Sequence, residues 1–68
     1  MAEEILATQS LDTERKVILA SHRRNANGEF LRIDERRKSS QVTNTVIIAI
    51  EDVGRFRELI ADLFPDHQ

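Results

Sequence analysis

Cysteine is absent from this 68-residue chain, which excludes a disulfide framework and thiolate metal sites together. Histidine is scarce: His22 and His67 lie far apart in sequence and form no ligand cluster. Gly28 stands isolated, so no glycine-rich loop is present to cradle a phosphate. No apolar run approaches the ~20 residues that a membrane span requires. The opening Met-Ala-Glu-Glu lacks the basic and apolar parts of a secretory signal. These absences lead us to expect no cofactor, no metal, no membrane and no small-molecule substrate, and an intracellular protein, cytoplasmic or nuclear.

Length sets the next constraint. A chain this short is one domain at most (1–68, with a core about 4–64 and a short tail 65–68). Such a domain buries only about 60% of the surface its unfolded chain exposes. Small domains gain robustness from a disulfide, a metal or a partner; with the first two excluded, a partner chain is the expected staple.

Formal net charge is −2, from 10 basic and 12 acidic residues. The sum does not suggest nucleic-acid binding, for which a basic domain is the usual footprint. The distribution does. Arg15, Lys16, Arg23, Arg24, Arg32, Arg36, Arg37 and Lys38 crowd the middle, against Glu29, Asp34 and Glu35. Acids gather toward the ends, from Glu3 to Glu14 and from Glu51 to Asp66. A basic middle between acidic ends can form one positive face.

The segment Glu4–Asp12 reads as a strand. Arg15–Arg24 holds the apolar run Val17-Ile18-Leu19-Ala20 between charges, which suits a second strand. Asn25-Ala26-Asn27-Gly28 is a strong hairpin signal. Beyond it, Phe30–Arg36 alternates with period two. Leu31, Ile33 and Glu35 point one way; Phe30, Arg32, Asp34 and Arg36 point the other. Arg36–Gln41 is polar enough for an exposed loop. Thr43–Ile50 is the strongest β segment and apolar on both sides. Val53, Phe56, Ile60 and Leu63 then recur at helical spacing, giving a helix over about Asp52–Phe64, with Glu51 and Asp52 as its cap and Pro65 as its stop.

The pattern is ββββα, and one helix covers one face of two or three strands at best. Val17, Leu19, Ile47 and Ala49 are left over on one side. Leaving such a patch wet forfeits several kcal/mol at about 25 cal/mol per Å², comparable with the stability of a small domain. Burial against an identical chain, most simply by two-fold symmetry, recovers it. Scattered exposed aliphatics on a monomer are the alternative.

The block Arg23-Arg24-Asn25-Ala26-Asn27-Gly28-Glu29-Phe30-Leu31-Arg32-Ile33-Asp34-Glu35 resembles the centre of a PUR repeat, from the purine-rich element binding (Pur-alpha) family. Glu4-Ile5-Leu6-Ala7 through Asp12 to Val17, then Thr45-Val46-Ile47-Ile48 and Phe56-Arg57-Glu58, sit where the repeat has its first strand, last strand and helix. The resemblance spans about Glu4 to Phe64. It implies an α+β fold of ββββα repeats, two copies intertwined into one whirly-like PUR domain, here as a homodimer. It also implies binding of single-stranded DNA or RNA, with a preference for G-rich sequences, on the curved sheet. By match to the family's positions, the implied binding residues are Arg15, Lys16, Arg23, Asn25, Phe30 and Arg32. Glu14 and Glu29 depart from the pattern, standing where the family tends to have a neutral and a basic residue.

The side chains themselves allow that function. An aromatic ring on an exposed strand face can stack a base for about 1–3 kcal/mol while nearby cations hold phosphates. Phe30 is either that ring or a core residue; Arg32 and Arg36 are either phosphate ligands or partners of Asp34 and Glu35. Arg23 and Arg24 either bind or solubilise, and Asn25 either reads a base or serves the turn. A protein-interaction or scaffolding domain using the same sheet is the alternative function, favoured by the net acidity. Catalysis is not expected. Asp34 and Glu35 face opposite sides of a strand, and Ser39 and Ser40 have no histidine nearby to activate them.

Overall fold

A computed structural model describes residues 3–66 of the chain. The chain forms β1 (Glu4–Asp12), β2 (Lys16–Asn25), β3 (Gly28–Arg37), β4 (Thr43–Ala49) and α1 (Ile50–Leu63). The strands make one antiparallel sheet in the order β1-β2-β3-β4. His67 lies outside the described residues. No helix among the described residues is long and apolar enough to cross a membrane.

The hairpin between β2 and β3 is where the Asn-Gly signal places it. Asn25 pairs with Gly28, and Ala26 and Asn27 form the turn. Gly28 carries the strain-prone backbone, at φ 127°, and no other described residue has positive φ. Glycine adopts that value at little cost because it has no Cβ. The Asn25 side chain caps the turn, its Oδ1 accepting from the Asn27 N–H at 2.9 Å.

Register then assigns the two faces. Arg23 stands opposite Phe30, Ser21 opposite Arg32, Leu19 opposite Asp34 and Val17 opposite Arg36. On β4, Ala49, Ile47, Thr45 and Thr43 continue the same rows. This Phe30 face is largely polar, with Val17, Leu19 and Ile47 as aliphatic patches. The opposite, Leu31 face carries Ile18 and Ala20 of β2, Leu31 and Ile33 of β3, and Val46 and Ile48 of β4. A bulge at Leu6 lets β1 change register, from Ile5 opposite Arg23 to Ala7 opposite His22.

The helix begins two residues earlier than its charged start suggests, because β4 ends at Ala49. Ala49 is the N-cap and makes no side-chain cap bond. Glu51 and Asp52 are therefore first-turn charges facing the positive end of the helix dipole, not caps. At the other end the Phe64 N–H donates to the Ile60 carbonyl at 3.1 Å before Pro65 ends the run.

The helix shields less of the sheet than its length suggests. At 1.5 Å per residue α1 is about 21 Å long, yet it touches only β3 and β4 and reaches neither β1 nor β2. Val53 and Phe56 are half-buried; every other residue of α1 is exposed, including Ile60 and Leu63 of the apolar stripe. β1 is exposed along its whole length. The molecule is flat, 35 × 33 × 16 Å. Phe30, at 8% exposure, is the one buried hydrophobic side chain among the described residues.

Two substitutions separate packing from backbone strain. Phe30→Ala should lower stability by about 3 kcal/mol, the cost of emptying a core aromatic site. Gly28→Ala should cost about 1–3 kcal/mol through φ alone, since the added Cβ meets open space. Denaturant midpoints measure both; a Phe30→Ala loss below about 1 kcal/mol would place the ring outside the core.

Candidate nucleic-acid interface

The six sequence-derived positions do not form one cluster. β2 runs from Lys16 to Asn25, about 30 Å at ~3.4 Å per residue. Arg15 and Lys16 lie at the end of the sheet formed by the β1–β2 turn. Arg23, Asn25 and Phe30 lie at the other, beside the β2–β3 turn, and Arg32 lies between.

At the β2–β3 end the side chains are engaged within the chain. Phe30 is too buried to receive a base as it stands; the core reading of this ring prevails. Asn25 holds its turn. Arg23 donates from Nη1 to Glu3 Oε2 at 2.9 Å and from Nε to Ser21 Oγ at 2.8 Å. Ser21, 2% exposed, is buried between its neighbours. Arg32 donates from Nε to Asp34 Oδ1 at 3.1 Å, and its Nη1 is 3.9 Å from Glu3. Arg24 pairs with Glu4 at 2.6 Å, and His22 Nε2 lies 2.6 Å from Glu29 Oε1.

Asp34 is the hub of the Phe30 face. Its Oδ1 accepts from Thr45 Oγ1 at 2.6 Å as well as from Arg32. The Thr45 hydrogen bond, more than the Arg32 guanidinium, holds this carboxyl below its ordinary value. Glu35 faces the other way and is likewise held low, first by the hydrogen bond from Lys16 Nζ at 2.5 Å. The two adjacent carboxylates thus serve opposite faces and separate partners.

The β1–β2 end differs. Thr13 closes its turn by accepting at Oγ1 from the Lys16 N–H (3.0 Å) and donating to the Lys16 carbonyl (2.9 Å). The Lys38 N–H donates to the Arg15 carbonyl at 2.9 Å, tying the β3–β4 connection to the β1–β2 turn. A groove of about 630 Å³ opens here, lined by Glu14, Arg15, Lys16, Arg37, Lys38 and Ser39. Arg37 and Lys38 also line a second groove of about 510 Å³ with Arg36, Ser40, Gln41 and Thr43. Lys16 is paired with Glu35, and Lys38 with Asp12 at 2.6 Å. Arg15, Arg36 and Arg37 form no ion pair among the described residues.

The polar run Arg36–Gln41 reads as a solvated loop, but Arg36 and Arg37 close β3, and nothing in the sequence joins them to Arg15. The run Arg36-Arg37-Lys38 was the available signal; the meander order, which returns β3 beside the start of β2, supplies the rest. Comparison with protein-family models and with curated protein sequences finds no match.

Acid should weaken this fold through Asp34 and Glu35. Both carboxyls lie lower in the folded chain than their ordinary values of 3.8 and 4.5. Between folded and ordinary values the unfolded chain binds more protons, so stability is full above that window and is lost as pH falls through it. Asp34→Asn should flatten the acid limb of stability against pH, measured by urea unfolding; an unchanged limb would remove Asp34 as its source.

Proposed function

We propose that two copies of the chain assemble into one homodimeric domain of intertwined ββββα units, PUR-like in arrangement, which binds single-stranded DNA or RNA with a preference for purine-rich sequence. The observation that carries the dimer is surface area. A compact monomer of 7.8 kDa exposes about 4,400 Å², whereas this chain exposes 5857 Å². The excess, about 1,500 Å² per chain, falls in the range that obligate homodimers bury.

The two faces suit different partners. On the Leu31 face, Ile18, Leu31, Ile33 and Ile48 make an apolar centre. The Lys16–Glu35 pair flanks it at one end and the His22–Glu29 and Arg24–Glu4 pairs at the other. An apolar centre within a polar rim is the anatomy of a protein–protein interface. The Phe30 face carries Arg23, Arg32 and Arg36 among Val17 and Leu19, the aliphatics that the sequence pattern assigns to the dimer; with that many cations around them, the mixture suits phosphates and the flat faces of unpaired bases instead. Phe30 supports the floor of this face and does not stack. The block at 23–35 and the ββββα order support the PUR-like reading.

A protein-interaction or scaffolding role on the same sheet is the second reading. The Glu3–Arg23 and Arg32–Asp34 pairs favour it, since they neutralise cations on the face assigned to nucleic acid.

Fluorescence anisotropy with a G-rich single strand of about 24 nucleotides separates the two. Micromolar binding at low salt, weakening steeply as salt rises, is expected; affinity poorer than about 100 μM at low salt would remove the nucleic-acid reading.

A further inference from the structure

Resting on that reading, we propose that the β1–β2 turn and the β3–β4 connection together form a phosphate clamp, through which single-stranded nucleic acid enters the sheet. Arg15, Arg36 and Arg37 are its ligands. The Phe30 face, whose arginines are largely engaged, is the surface onto which the strand then runs.

Three observations converge. At this end Lys16 and Lys38 have carboxylate partners, while Arg15, Arg36 and Arg37 form no salt bridge among the described residues, although the charge of Arg37 helps to hold the Glu35 carboxyl low. Guanidinium groups outside any direct salt bridge offer their donor forks to phosphate oxygens without first breaking an ion pair. Second, the clamp is pre-organised. The hydrogen bond from the Lys38 N–H to the Arg15 carbonyl ties its two halves, and the Thr13 bonds and the Ser40 N–H to Arg37 carbonyl bond (3.2 Å) fix each half separately. A site held in place beforehand loses less entropy on binding. Third, the clamp is continuous with the sheet. Arg36 stands opposite Val17 and lines a groove of about 320 Å³ on the Phe30 face with Val17, Leu19, Arg32, Asp34 and Thr43. A basic mouth opening onto a partly apolar floor matches a polymer that alternates phosphates with flat bases.

One residue opposes the clamp. Glu14 lines the same groove and offsets part of its charge. It therefore supplies a test of opposite sign to the arginines.

The experiment uses the full chain. A labelled oligothymidylate of about 24 nucleotides is followed by anisotropy at several salt concentrations, and tripolyphosphate is titrated against isotope-labelled protein with backbone amides read by NMR. Arg37→Ala and Arg15→Ala should each weaken oligonucleotide binding about five- to tenfold and reduce the magnitude of the log–log salt slope by about 0.7. Glu14→Gln should tighten binding about twofold, since it removes a like charge from the phosphates. Arg57→Ala, on the exposed helix, should change nothing, and Arg37→Lys should restore most of the loss. Tripolyphosphate should shift the amides of residues 13–16 and 36–40. Thermal melts of each variant check that the fold is intact.

Oligonucleotide binding that is indifferent to Arg15, Arg37 and Glu14 would overturn the clamp and leave the nucleic-acid reading standing. Tripolyphosphate shifts at 13–16 and 36–40 with no oligonucleotide binding would overturn nucleic acid as the occupant and the functional reading with it. Equal or tighter binding to anionic phospholipid vesicles would overturn that occupant as well.

Discussion

A four-stranded meander presents two faces, and α1 is anchored to it only through its first two turns. Val53 and Phe56 seat the helix beside β3 and β4. Beyond them Leu59, Ile60 and Leu63 are roughly half to two-thirds exposed. The β1–β2 half of the sheet therefore has no helical cover, and the described residues include one buried hydrophobic side chain where a self-sufficient domain of this size has several. A domain left this open gains more from covering aliphatic area than from any contact it makes alone. Its flatness and its excess surface both follow from this incomplete cover.

Charge is arranged around the same geometry. Where strands bring acids and bases into register, cations are consumed: Arg23 and Arg32 by Glu3 and Asp34, Lys16 by Glu35, Arg24 by Glu4. Exposed pairs of this kind add little stability, but they decide which positive charges remain available to a ligand. On the sheet, among the described residues, those are at the β1–β2 end, where two connections meet and carboxylates are outnumbered. A near-neutral chain can thus hold one basic tip, which its net charge conceals.

Strand and helix order was legible because the period changes are sharp. The alternation through Phe30–Arg36 and the Asn25–Gly28 turn fixed the hairpin register, and with it the pairing of Arg23 with Phe30. Three features were not legible. The bulge at Leu6 leaves no mark in a segment of weak alternation. Phe30 is an aromatic on the more polar face, and periodicity favours Leu31 and Ile33 as core; it is buried between its cross-strand neighbours Arg23 and Ala49. The basic tip depends on a contact between residues far apart in sequence, sealed by the Lys38 to Arg15 backbone bond, which only the strand order reveals.

The central claim is that a second copy completes the fold. Sedimentation equilibrium across a dilution series, with chemical unfolding at each concentration, tests it most directly. The account predicts a mass twice 7.8 kDa and an unfolding midpoint that rises with protein concentration. A compact single chain that unfolds cooperatively at micromolar concentration, with a midpoint independent of dilution, would contradict it.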